Sequence, residues 1–427
     1  MRRVYAPPVM ARRSGPGLHA LLGPGILVAA TGVGAGDLAT ASLVGTRLGT
    51  AVLWAALAGA FAKFVLNEGL ARWQLVTGQT LLEGVVRRLG RPAAAVFLLY
   101  LLPWSFFVGS ALVSACGVTA HAILPLFADA DLGKVWLGVA HSLAGLLLVR
   151  LGGFRLFERF MGACIALMFG TVLLTAVLVR PDWPAVIEGL LVPRIPEARS
   201  GGLVWTIALM GGVGGTLTIL CYGYWIREAG RIGLESLRVC RVDLAVAYLM
   251  TGLFGVAMVI IGSTVHVEGT GAMLVVRLAE RLDQTLGVAG RWAFLAGAWA
   301  AVFTSLLGVW QAVPYLFADL WRLTCGPSAA AAGSIDRTAR AYRGYQLALA
   351  VAPLSGLLFS FREIQKLYSV IGASFMPLLA LTLLVLNGNL AWVGERRDRR
   401  STQVVLVAIL LFFLAVGVVE VKYQLSG

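Results

Sequence analysis

Two acidic side chains in this sequence stand where acids are costly. Asp37 follows Gly32-Val33-Gly34-Ala35-Gly36 in the middle of an apolar stretch, and Glu68 sits in Leu66-Asn67-Glu68-Gly69-Leu70-Ala71-Arg72. A carboxylate at the centre of a membrane helix costs roughly 2.5–3.5 kcal/mol on insertion scales, so it needs water, a partner or a cargo. Asp37 is the only acid of its stretch and comes directly after a glycine cluster. That position suits a group that binds a cation or couples its movement. It also suits an N-cap for a helix resuming after the glycines, and the two roles are compatible. For Glu68 an ion pair with Lys63 or Arg72 is the simpler account, with a coupling role as the alternative.

A second glycine cluster, Gly211-Gly212-Val213-Gly214-Gly215, runs into Thr216-Leu217-Thr218 and then Cys221-Tyr222. Each glycine costs a helix interior up to about 1 kcal/mol relative to alanine. Close helix packing through small residues is the bland reading of one such cluster. Two clusters, in the first and sixth apolar stretches, point instead to two discontinuous helices. Unwound backbone at membrane depth is tolerated only where it lines a buried or watery cavity. In transporters built this way the cargo sits at the midplane between the breaks, where free carbonyls meet cations and half-helix N-termini meet anions. Candidate cargo-binding residues are therefore Gly34, Asp37, Gly215, Thr216, Thr218, Cys221 and Tyr222, with Asp37 as the metal ligand and Glu68 as a coupling candidate. Trp225 and Arg227 suit an aqueous interface. The other cysteines, Cys116, Cys164, Cys240 and Cys325, have no C-x-x-C spacing and read as packing residues. His19, His121, His141 and His266 lack metal-ligand companions at helical spacing.

The elements that must hold these groups follow from composition. Of 427 residues 59% are hydrophobic and 13% charged, with mean hydropathy +0.84. Soluble domains carry about 25% charge, so this is an integral membrane chain. The apolar runs lack period-two alternation, which excludes a barrel. A window of about 20 apolar residues per span predicts eleven helices, near 20–47, 49–77, 92–125, 134–150, 156–180, 201–229, 240–267, 289–323, 342–361, 363–391 and 402–422. Arg2, Arg3, Arg12 and Arg13 precede the first run like a signal peptide, but the run continues into a second span and reads as a retained helix. A net charge of +14 would suggest nucleic acid in a soluble protein. Here 22 of the 35 basic residues fall in alternate loops on one side and 11 on the other, with Lys63 and Arg72 inside a span. The excess therefore reports topology, with the N-terminus cytoplasmic and the C-terminus outside. The expected partners are the bilayer and the cargo. No nucleic acid and no cofactor are expected.

The expected organisation is one all-α transmembrane domain over 1–427. It comprises a cytoplasmic segment 1–19, inverted five-helix repeats over 20–180 and 201–391, and an extra helix 402–422. Breaks in the first and sixth helices fit a five-plus-five repeat.

Gly23-Pro24-Gly25-Ile26-Leu27-Val28 with Ala39-Thr40 after the break resembles the NRAMP proton-coupled divalent-metal transporters. Glu68-Gly69-Leu70-Ala71-Arg72, Val76-Thr77-Gly78-Gln79 and Glu83 are similar to that family's second helix. Phe303-Thr304-Ser305 and Phe317-Ala318-Asp319 are more loosely similar to its eighth. The resemblance implies an eleven-helix, leucine-transporter-like fold. It also locates departures. The family's Asp-Pro-Gly-Asn motif, whose Asp and Asn ligate metal, falls on Gly34-Ala35-Gly36-Asp37. Its Met-Pro-His motif falls near Ile219-Leu220-Cys221, so the soft thioether is absent. The third helix, Phe107-Val108-Gly109-Ser110-Ala111-Leu112-Val113-Ser114, lacks the family's acidic relay pair. One carboxylate with carbonyls and hydroxyls makes a hard-oxygen site, and a thiol in an apolar setting such as Cys221 tends to stay protonated.

The resulting expectation is a secondary-active, alternating-access carrier in the cell membrane. It would move a divalent or other hard cation, Mg-like rather than Mn or Fe, by symport. The alternative is a small organic solute such as an amino acid on the same fold. An enzyme is not expected, because no H-E-x-x-H, G-x-S-x-G or paired intramembrane carboxylates occur.

Overall fold

A computed structural model describes residues 18–34, 36–151, 153–264, 274–325 and 337–426. The basic residues Arg2, Arg3, Arg12 and Arg13, Ala35 of the first glycine cluster, and His266 lie outside the described residues. Among the described residues every regular element is helical. In chain order they are α1 (Leu18–Gly32), α2 (Ala41–Leu48), α3 (Leu53–Thr77), α4 (Leu81–Ile123), α5 (Ala130–Leu151), α6 (Gly153–Leu178), α7 (Trp183–Leu191) and α8 (Leu203–Gly212). Then follow α9 (Cys221–Glu228), α10 (Leu237–Ser263), α11 (Leu274–Cys325), α12 (Arg340–Val351), α13 (Phe361–Gly388), α14 (Leu390–Val393) and α15 (Arg400–Ser426).

The first expected span is α1 and α2 joined by a π-helical turn, Gly36–Thr40; the sixth is α8 and α9 joined through a 3-10 turn, Leu217–Leu220. Both interruptions fall on the glycine clusters. The expected count of eleven is not recovered by length: eight segments of the described residues are long and apolar enough to cross a membrane. Two shorter apolar helices, Gly23–Gly32 and Arg400–Ala415, accompany them. The expected ninth span, 342–361, is the twelve-residue α12 followed by a 3-10 stretch, Ala352–Leu358. Pro353 removes an N–H there and tightens the winding. The helices that carry the expected third and eighth spans begin earlier than expected, at Leu81 and Leu274. Helix α4 begins at Leu81 behind a Thr80–Glu83 capping box and kinks at Gly90 (φ 82°), while α11 kinks at Gly287 (φ 71°).

Packing brings the two broken spans to the centre. Helix α1 lies against α10, α11 and α6; α8 lies against α13 and α3; and α3 packs along α10. Gly45 of α2 and Gly262 of α10 let those two helices approach closely, since a Cβ on either would fall 2.2–2.3 Å from a backbone oxygen of the facing helix.

Ion pairs join residues from several of the basic loops. At one end Arg227 and Arg322 reach Glu83, Arg337 reaches Glu228, Arg241 reaches Glu68 and Arg72 reaches Asp398. At the other, Arg47 pairs with Glu197, and Lys134 reaches Asp131 and the Phe359 carbonyl. Residues expected on the same side thus touch one another.

Candidate functional site: the crossing of two broken helices

The two breaks meet backbone to backbone. Gly32 ends α1, and a Cβ on it would lie 2.9 Å from the Gly214 carbonyl carbon; a Cβ on Gly34 would strike Ser305 at 2.3 Å. In the second break Gly214 (φ 82°) and Gly215 (φ 71°) take left-handed conformations that cost an L-residue about 1–2 kcal/mol each. First-break glycines therefore allow close approach, and second-break glycines allow the turn.

Asp37 is completely buried at this contact. Its Oδ2 accepts from the Gly34 N–H of its own break and from the Gly214 N–H of the other, each at 3.4 Å. Both contacts are long, so the carboxylate is held loosely. Its Oδ1 is buried and has no hydrogen-bond partner among the described residues. The side chain turns back toward α1 and across to the second break. It does not cap α2, whose N-cap is Thr40; the Thr40 hydroxyl instead meets Ser369 of α13 at 2.8 Å.

The second charge at the crossing is Lys63, also completely buried. The expected pairing with Glu68 does not form: Lys63 and Glu68 are five residues apart and point to different neighbours. Lys63 Nζ donates to the Gly211 carbonyl at 2.8 Å and to the Val213 carbonyl. These are carbonyls that the end of α8 leaves without helical partners. The peptide between Val213 and Gly214 thus accepts from Lys63 through its oxygen and donates to Asp37 through its nitrogen. The two charges also act on each other through space. Lys63 is the residue that sequence reasoning passes over, although the sequence carries the signal. An ammonium between Ala62 and Phe64 at membrane depth is as costly as an aspartate there.

Hydroxyls complete the surroundings. Thr216 Oγ1 accepts from the indole of buried Trp104 at 2.8 Å. Thr218 Oγ1 lies beside Gly215, where a Cβ would come within 2.4 Å of it. Ser305 donates to the Thr31 carbonyl at 2.7 Å, satisfying an oxygen freed near the end of α1. Cys221, buried and unoxidised, opens α9 beyond the 3-10 turn. Among the described residues no group of three or more His, Cys, Asp or Glu side chains could hold a metal. A cation here would depend on one carboxylate, carbonyls and hydroxyls.

This contact of two interrupted helices around one acid agrees with the family resemblance in the sequence. The chain matches the Nramp family, natural resistance-associated macrophage protein-like, over residues 25–421. It belongs to that family. Nramp proteins are membrane transporters, and this chain is accordingly no enzyme. It is 24% identical to the divalent metal cation transporter MntH of Aeromonas hydrophila, covering 92% of this chain and 93% of that protein. It is 26% identical to MntH of Mycobacterium tuberculosis, covering 93% and 90%. Its fold matches a manganese transporter of Eremococcus coleocola with TM-score 0.74 at 16% identity, over 98% of this chain and 90% of that one. It also matches MhsT, solved with L-phenylalanine, with TM-score 0.60 at 16% identity, over 97% and 100%. The fold is therefore the leucine-transporter-like arrangement.

Several expected site residues of this Nramp protein lie away from the crossing contacts. The Tyr222 hydroxyl does not reach Asp37; it donates to Asp243 at 3.1 Å. Asp243 also accepts from the Gly25 N–H at 2.9 Å and pairs with Arg231 at 2.6 Å, tying α1 to α9 and α10. Trp225 is not interfacial: it is buried, and its indole donates to Gln311 at 3.1 Å. Glu68 is spoken for by Arg72 at 3.1 Å and Arg241 at 2.8 Å, so the expected Arg72 pairing forms. A further cluster, Glu83, Asp319, Arg322, Tyr224 and Thr80, joins α4, α9 and α11 at the end occupied by the basic loops.

Proposed function

We propose that this Nramp protein is a secondary-active, alternating-access carrier of a hard cation, Mg-like rather than Mn or Fe, with Asp37 as its carboxylate ligand. The observation that carries this reading is the buried Oδ1 of Asp37, which lacks a hydrogen-bond partner among the described residues at the crossing of the two breaks. An unsatisfied carboxylate oxygen in a low-dielectric interior is costly and attracts a cation. The candidate ligands that the two breaks offer are hard: backbone carbonyls at Gly34 and Gly215 and the hydroxyls of Thr216 and Thr218, with Cys221 the one soft group nearby in sequence. Hard oxygens with retained waters suit Mg²⁺. The names of the relatives, divalent metal cation transporter and manganese transporter, support a metal cargo. Glu68 acts as a structural anchor in this reading, because both its oxygens already meet arginines. The cell membrane, a cytoplasmic N-terminus and repeats over 20–180 and 201–391 belong to the same proposal.

A zwitterionic organic solute is the second reading, favoured by the presence of Lys63 beside Asp37: an ammonium and a carboxylate of a cargo would find opposite charges there.

Uptake into proteoliposomes under an imposed ion gradient, with a pH-reporting dye inside, tests both. Mg²⁺ uptake exceeding Mn²⁺ uptake is expected. Uptake of an organic solute without any divalent ion would replace the first reading by the second.

A further inference from the structure

We propose that Lys63 is the built-in cation of the crossing point: its ammonium holds carbonyl oxygens that a divalent ion would use, and so decides which cations the site admits. The inference rests on the crossing being a cation seat.

The geometry is that of a bound ion rather than of an ordinary ion pair. Lys63 is completely buried, and no acid of the described residues lies within ion-pair distance of it. Its ligands are the carbonyls of Gly211 and Val213. They belong to the C-terminal end of α8, where the helix dipole places partial negative charge. The stem lies along the second break, since a Cβ on Gly214 would come 3.6 Å from the Lys63 side chain. An ammonium has three donors and no acceptor, so oxygen ligands satisfy it as they would a small metal ion.

The charge balance gives the consequence. Asp37 and Lys63 together are neutral, so a divalent ion entering beside them leaves the buried site at +2. With Lys63 withdrawn, the same ion faces the lone Asp37 and the two freed carbonyls. An ion therefore binds well only when the ammonium leaves, and seat occupancy passes between Lys63 and cargo. An uncharged residue at 63 would leave the seat open.

The test is calorimetric titration of full-length protein with Mg²⁺ and Mn²⁺, comparing wild type with Lys63→Gln, Lys63→Arg and Lys63→Gln/Asp37→Asn. Glutamine keeps a donor for the carbonyls without the charge. Lys63→Gln is expected to bind both ions at least about tenfold more tightly than wild type, equivalent to about 1.4 kcal/mol. Lys63→Arg should show no gain, and the double variant should lose the gain. Thermal unfolding gives an independent readout: Mg²⁺ raises the midpoint of Lys63→Gln more than that of wild type at the same concentration. If Lys63→Gln does not fold, Lys63→Met takes its place. Equal affinity in the uncharged variant and wild type, or a gain in Lys63→Arg, overturns the proposal. Wild-type uptake is read separately. A wild type that carries no divalent ion, alongside a Lys63→Gln variant that binds one, overturns the cargo reading and leaves this one standing. The converse result overturns this one alone.

Discussion

The two breaks look alike in the sequence, each a run of glycines in an apolar span, yet they contribute different chemistry. The first brings a side chain. Asp37 is held on a π-helical turn, and its glycines let other groups come close, with Gly32 against Gly214 and Gly34 against Ser305. The second brings backbone. Gly214 and Gly215 turn left-handed, and the freed Val213–Gly214 peptide offers an oxygen to Lys63 and a nitrogen to Asp37. One break thus supplies fixed charge and the other supplies dipoles that charges can share. A glycine cluster marks where a helix opens, but it does not say whether side chain or main chain will do the binding.

The comparison can be broken by substitution. The largest effect on transport is expected at Asp37. Asp37→Asn keeps the shape and removes the charge, so cation uptake in proteoliposomes should fall by roughly 100-fold, the equivalent of about 3 kcal/mol of lost charge interaction. Uptake within twofold of wild type would remove Asp37 from the cargo site. Next comes the tether that anchors the first broken helix. Asp243→Ala removes the one carboxylate that Gly25, Tyr222 and Arg231 share. A loss of about 3–5 kcal/mol is expected, read as a lowered thermal midpoint in detergent. Gly214→Ala probes the second break itself. A left-handed alanine costs about 1–2 kcal/mol, and its Cβ would meet the Thr251 methyl at 3.0 Å. An unchanged melting temperature would mean that the turn does not depend on glycine. Thr216→Val removes the acceptor of the Trp104 indole, for about 1–3 kcal/mol if that buried donor stays unpaired. The smallest effect belongs to Cys221→Ser, for which the ratio of Mg²⁺ to Mn²⁺ uptake should hardly move. A marked loss of Mn²⁺ transport alone would make the sulfur a ligand and the site softer than proposed.

Much of the fold was legible because membrane insertion imposes strong rules on sequence. Apolar runs announced the helices, and arginines of several basic loops find carboxylates of neighbouring helices. The rules failed where a helix departs from one uniform crossing. Pro353 shortens the regular part of the expected ninth span, and Gly90 and Gly287 bend α4 and α11 within what are otherwise continuous helices. In the site, Asp37 stood out because it is a lone acid beside glycines. Tyr222 and Trp225 were less legible, since helical spacing alone does not say which neighbour a side chain will find. Their partners, Asp243 and Gln311, lie 21 and 86 residues away in the chain.

Sequence alone determined that this is a helical membrane chain, where two of its spans open, and that a carboxylate lies at the first opening. Those features follow from local costs: apolar length, the price of glycine in a helix and the penalty for a charge in lipid. Tertiary structure alone decided what the charges meet. Lys63 has acids and bases nearby in its own helix, yet it reaches carbonyls 148 and 150 residues away, because the unwound end of α8 leaves oxygens unsatisfied within its reach. Buried polar groups must find partners wherever folding supplies them, and at this crossing the partner of a lysine is a broken helix.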